Sequence, residues 1–188
     1  MLRRTLLLAA LLGLAACQSL QIDSDYDPAR DFAALHTWRW QEPAVQYRPQ
    51  DPRLASDLTE QRLRQAIAEQ LEQRGLRPAA EGAPADLQVQ SFVIVDQRHL
   101  QEMTSYPDMG LTSPYWNGGW AAAGMTQVRN LDYQVGTLQI DLRDRAGQLV
   151  WRGSAAQTLP SRPGTPQQRA AAIRATVTQI LANYPPRR

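Results

Sequence analysis

Three carboxylates alternate at Asp23, Asp25 and Asp27, the spacing with which the first half of a calcium loop converges oxygen ligands on one hard cation. The second half does not follow, because Pro28 stands where a flexible glycine is needed and Ala34 where a bidentate glutamate must close the loop. Asp27 or Asp31 is instead expected as a turn and capping residue. His36 and His99 are the two imidazoles of the chain, far apart, without an HxxxH spacing and with no cysteine to complete a zinc site. Serines are present, but no G-x-S-x-G elbow is. A Ser-His-Asp arrangement would have to gather one of those two histidines from a distance. Asp141 and Asp144 resemble an acid/base pair in spacing, yet an outward strand position followed by a turn aspartate is what an ordinary hairpin contains. These residues argue against an enzyme, and neither a cofactor nor a metal is expected.

The chain contains no lysine, so a phosphate-binding P-loop, a Schiff-base mechanism and a Ser-Lys dyad are excluded. Its single cysteine closes the run Leu14-Ala15-Ala16-Cys17, after a positive start at Arg3 and Arg4 and an apolar stretch from Leu6 to Leu14. These four residues resemble the lipobox of bacterial lipoproteins. That resemblance implies a signal peptide over residues 1–16, cleavage before Cys17, a diacylglyceryl group on its thiol and an acyl group on the new amine. Each buried methylene contributes about 0.8 kcal/mol and one chain holds only marginally, so two or three chains make a durable anchor. Gln18 stands where an aspartate would resemble an inner-membrane retention signal. The expected location is therefore the outer membrane, with the domain facing the periplasm, and the inner membrane is the alternative. With Cys17 committed to lipid, no thiol remains for disulfides, catalysis or metal binding.

Without the first 16 residues, 172 remain, enough for one well-packed domain. The formal charge of +2 includes Arg3 and Arg4; without them 18 basic residues face 18 acidic ones. Such a neutral balance gives no reason to expect nucleic acid as a partner.

Aromatic residues divide into two groups. Trp38, Trp40 and Trp151 lie within strand-like runs and are expected in the core, with neighbouring arginines stacked at the edge. Tyr115, Trp116 and Trp120 sit among Gly, Pro and Asn in the loop 106–120, where no regular face buries them. They are the candidate binding residues, free to stack on sugars, enter a lipid interface or anchor a protein.

The elements that position these residues follow from periodicity. Gln21 to Asp27 reads as a polar extended lead-in, so the lipidated segment is taken as residues 17–27 and the domain as 28–184. Trp38 and Trp40, two apart, mark a first strand over Leu35 to Gln41, and the three prolines of Glu42 to Pro52 mark a surface connection. Leu63, Ala66, Ile67 and Leu71 share one side of a helix, capped at Asp51 or Asp57 and stopped by Arg74, Gly75 and Pro78. Leu87 to Val95 reads as a central strand, and Val128 to Val135 as a weaker one across the loop. Leu138, Ile140 and Leu142 alternate with polar residues, and a turn at Asp144 to Gly147 leads into Leu149 to Ala156, a hairpin. Thr165, Pro166 and Gln168 form a capping box before the stripe Ile173, Val177, Ile180 and Leu181. The pattern predicts an α+β fold, a largely antiparallel sheet with two helices packed on one face.

Two segments, Asp25-Tyr26-Asp27-Pro28 with Thr37-Trp38-Arg39-Trp40, and Gly136 to Leu142 with Leu149-Val150-Trp151-Arg152-Gly153, resemble the DUF4136 family of bacterial envelope lipoproteins. The resemblance implies one α+β domain on a lipid anchor and carries over no catalytic residue. The expected function is non-catalytic: binding another envelope component, such as a protein, through the exposed sheet edge or the aromatic loop. The alternative is a binder of a glycan or lipid through loop 106–120, and the third is a hydrolase gathering His36 or His99 with Ser and Asp.

Overall fold

The computed structural model describes residues 20–105, 126–162 and 164–186. They fall into two units, one of residues up to Asp96 together with those from Val135 onward, the other Gln97–Gln134. Six strands form one sheet in the order β1-β6-β5-β4-β2-β3. They are β1 (Gln21–Tyr26), β2 (Thr37–Arg48), β3 (Arg77–Pro78), β4 (Leu87–Ser105), β5 (Thr126–Arg143) and β6 (Leu149–Thr158), with helices α1 (Asp57–Gln73) and α2 (Pro166–Leu181). β4 and β5 continue into the second unit, where His99 and Asp132 pair at 2.7 Å and Leu100, Met103, Val128, Leu131 and Tyr133 are exposed.

The expectation of a largely antiparallel sheet is corrected: the sheet is mixed. β5–β6 is the expected antiparallel hairpin and β1–β6 is antiparallel too, but β2 runs parallel to both β3 and β4. Parallel neighbours need a long crossover, and α1 between β2 and β4 supplies it. β2 also extends through the stretch expected to be a connection. It absorbs Pro43 in an irregularity between Trp40 and Val45, where Gln90 Nε2 donates to the Pro43 carbonyl (2.9 Å) and Ser91 Oγ to that of Ala44 (3.2 Å). The polar lead-in is itself a sheet member, pairing Gln21 with Ala156 through Tyr26 with Trp151.

α1 starts at Ser56, whose hydroxyl accepts from the Thr59 N–H, one residue before the expected Asp57. It ends in a Schellman motif, with Gly75 at φ 90°, the Gly75 N–H on the Glu72 carbonyl and the Leu76 N–H on that of Leu71. The capping box at Thr165 and Gln168 opens α2 as expected. The helices meet at their C-terminal ends, where Arg74 Nε donates to the Leu181 carbonyl. Between them and the sheet lies the core of the first unit: Leu63, Ala66, Ile67 and Leu71 from α1, Val177, Ile180 and Leu181 from α2, and Trp38, Leu87, Val89, Ile140, Leu142 and Trp151 from the strands. Trp151 is fully buried, edge-on to Tyr184 at 5.6 Å. Gly153 lets it fit, since a Cβ there would come within 2.4 Å of the Trp151 ring and 2.6 Å of Ile180. Trp40 is partly buried, and the guanidinium over its ring is that of Arg64 from α1 rather than the expected one of an arginine beside it in the sequence.

Candidate functional site

Toward the N-terminal half of α1 the core opens into a groove of about 200 Å³. Its floor is Val93 and Val95 of β4, Leu138 of β5 and Ala155 of β6; its walls are Leu63 of α1 and Ala172, Ile173 and Thr176 of α2. The alternation of a strand puts these floor residues on the helix side. Leu138 pairs with Ala155 and Gly136 with Gln157 across the hairpin. Gly136 makes room for Leu159 at the groove's end, because a Cβ at that position would stand 2.6 Å from the leucine Cδ2. Thr59, Thr137, Gln157 and Thr176 are the polar lining residues, and none of the lining residues is charged. A volume below the roughly 300–1,000 Å³ of ordinary ligand pockets suits a single apolar chain or side chain.

The carboxylates singled out from the sequence hold structure together instead. Asp141 lies on the opposite face of β5, not exposed as an outward strand position would be, but fully buried. Its oxygens accept from Arg152 Nε (2.7 Å) and Nη2 (2.6 Å), from Gln139 Nε2 (3.0 Å) and from Arg143 Nη2 (3.3 Å). Asp141 holds the Arg152 guanidinium above its usual range. Asp144 instead pairs with Arg30 (2.7 Å) and accepts from the N–H groups of Ala146 and Gln148, so these two aspartates serve separate arginines. Asp27 and Asp31 both fill the expected turn and capping role, accepting from the N–H groups of Ala29 and Ala33. Asp23 and Asp25 accept from the next residue's N–H, Ser24 and Tyr26, each at 2.9 Å. The Asp27 N–H on the Val150 carbonyl sets the ladder phase, which directs the Ser24 and Tyr26 N–H groups away from β6. The outer edge of β1 is thereby capped by its own carboxylates.

His36 and His99 have separate partners: the first, in the first unit, has its backbone N–H on Asp86, and the second pairs with Asp132 in the other unit. Asp86 is a residue that sequence reasoning missed. It accepts from the N–H groups of His36 and Thr37 (both 3.0 Å), from Thr37 Oγ1 (2.8 Å) and from Arg145 Nη2 (2.6 Å). The His36 N–H foremost, with the Thr37 hydroxyl, pulls its carboxyl down to about 2. Among the described residues no three His, Cys, Asp or Glu side chains are placed to hold a metal ion. Cys17 and the aromatic residues Tyr115, Trp116 and Trp120 lie outside the described residues. The groove was also missed; its signal in the sequence is the pair of small residues, Gly136 and Ala155, on the apolar side of the hairpin.

A family model for a domain of unknown function, DUF4136, matches residues 22–186. The chain belongs to the DUF4136 family. Among solved structures, it is similar to a DUF4136 family protein from Bacteroides thetaiotaomicron at 20% identity and a TM-score of 0.50, covering 88% of this chain and 96% of that one. A PDZ domain protein from Parabacteroides distasonis is similar at 15% identity and a TM-score of 0.54, over 95% of this chain but 39% of that chain. The dodecameric PelC from Paraburkholderia phytofirmans is similar at 13% identity and a TM-score of 0.47, over 90% and 99% of the two chains. At these identities the likeness to the first two is one of fold. No curated protein matches the chain. Within the DUF4136 domain, no described helix is long and apolar enough to cross a membrane.

Proposed function

We propose that the protein is a non-catalytic lipoprotein, anchored through Cys17 to the outer membrane and facing the periplasm. Its DUF4136 domain binds an apolar element of another envelope component. The uncharged groove between α1 and α2 carries this reading, because burial of apolar surface is the one strong driving force that its lining offers a ligand. The sheet edge at β1 is less suited to a partner, since Asp23 and Asp25 already occupy two of its outward N–H groups, those of Ser24 and Tyr26. An envelope pull-down tests the proposal. Wild type is expected to retain a component that the groove-plugged variant Ala172→Trp loses, and equal recovery from both variants, or recovery of nothing above a control carrying only the Cys17 anchor, counts against it. Membrane fractionation that Cys17→Ser leaves unchanged removes the anchor.

A second reading is binding of a glycan or lipid through Tyr115, Trp116 and Trp120. The exposed Leu100, Met103, Val128, Leu131 and Tyr133 on the strands leading into that loop favour it. Tryptophan fluorescence should then respond to ligand in wild type and not in a triple variant of those three aromatic residues.

A further inference from the structure

We infer that the groove is the seat of one of the protein's own acyl chains, carried on Cys17, which an arriving partner must displace. The inference rests on the lipid-anchor reading above and assigns the regulation of the same groove. Its basis is where the described chain begins. Gln21 pairs with Ala156 and Ile22 with Ala155, and Leu20 and Ile22 are both partly buried against the core. Ala155, Gln157 and Leu159 are themselves groove residues, so the polypeptide enters the sheet on the strand next to the β6 side of the groove floor. Cys17 is three residues ahead of Leu20, a reach of about 10 Å at roughly 3.5 Å per extended residue.

The groove suits that occupant chemically. Its lining holds no charge that would recognise a headgroup, and its volume of about 200 Å³ admits a single alkyl segment. The glyceryl and amide groups at Cys17 stay outside in water while the alkyl part lies over Val93, Val95 and Leu138. Two chains then remain in the bilayer, enough to keep the protein anchored. A protein partner seeking the groove competes with a ligand tethered beside it, at an effective concentration set by those three residues.

The test uses the full chain with Thr176→Cys, a groove residue, as the reporter thiol. The lipidated protein and its Cys17→Ser counterpart, which carries no acyl group, are placed with vesicles of phosphatidylethanolamine and phosphatidylglycerol, and maleimide labelling is timed. The acyl content of the N-terminal peptide is read by mass. We expect labelling about tenfold slower in the lipidated protein than in the Cys17→Ser protein. Equal, fast labelling of both overturns the inference, as does equal, slow labelling of both, which would mean that bilayer lipid fills the groove. In either case an acylated N-terminal peptide leaves the anchor reading standing; a peptide without acyl mass overturns both.

Discussion

Arg152 grips Asp141 with two parallel hydrogen bonds, Nε to Oδ1 at 2.7 Å and Nη2 to Oδ2 at 2.6 Å, between directly paired positions of β5 and β6. The two partners are unequally placed, since the carboxylate is fully buried while the arginine side chain is 40% exposed. Losing Arg152 therefore leaves a buried charge with only Gln139 and the longer 3.3 Å contact of Arg143, whereas losing the carboxylate charge frees arginines that can turn to water. Arg152→Met is expected to lower unfolding stability by about 3 kcal/mol, and Asp141→Asn by about 1–2 kcal/mol. Urea denaturation of the two variants checks the order, and a larger loss for Asp141→Asn would contradict it.

Asp86 predicts an acid-sensitive contribution. Its folded value of about 2 lies below its ordinary 3.8, so the stabilisation is fully present above about pH 4 and is lost as pH falls toward 2. Solvent near the carboxylate screens it, leaving about 1–2 kcal/mol. The stability difference between wild type and Asp86→Asn, measured from pH 6 to pH 2, should shrink over that interval.

Gly153 and Trp151 form one packing unit. Gly153→Ala pushes a methyl group into the indole and Ile180, and should cost about 1–3 kcal/mol. Trp151→Ala empties the same space and should cost about 3–5 kcal/mol. Combining them should cost less than the sum, because the alanine methyl then has room, a coupling that a double-mutant cycle measures.

Asp23 and Asp25 guard the outer edge of β1. Replacing both with alanine exposes two N–H donors on a strand edge, and the expected result is concentration-dependent self-association seen by light scattering, with secondary structure unchanged.

Legibility in the sequence tracked the range of the interactions. The β5–β6 hairpin and the stripes of both helices are local patterns, and they stand where periodicity puts them. The parallel β2–β4 pairing joins residues about 50 apart, and Pro43 disguised half of β2 as a connection. Alternation placed Asp141 on the correct face but not its burial, which depends on neighbours from other parts of the chain. Asp86 was invisible for the same reason, as its partners sit at positions 36, 37 and 145. At the groove, Leu63, Leu138 and Ile173 belong to the apolar faces that periodicity predicts, but hydrophobic spacing does not distinguish a filled interior from an open one.

The bond from Arg74 to the Leu181 carbonyl ties the helices at their far ends, and Gln70 braces the same guanidinium through its carbonyl (3.0 Å) and Oε1 (2.7 Å). Like a clothes peg, the pair has its spring at one end and its jaws at the other. Arg174 and Glu69 pair across the helices at 3.8 Å, so under the proposed binding a guest would meet walls held at a set spacing from one side only, and its girth would be limited by those ties.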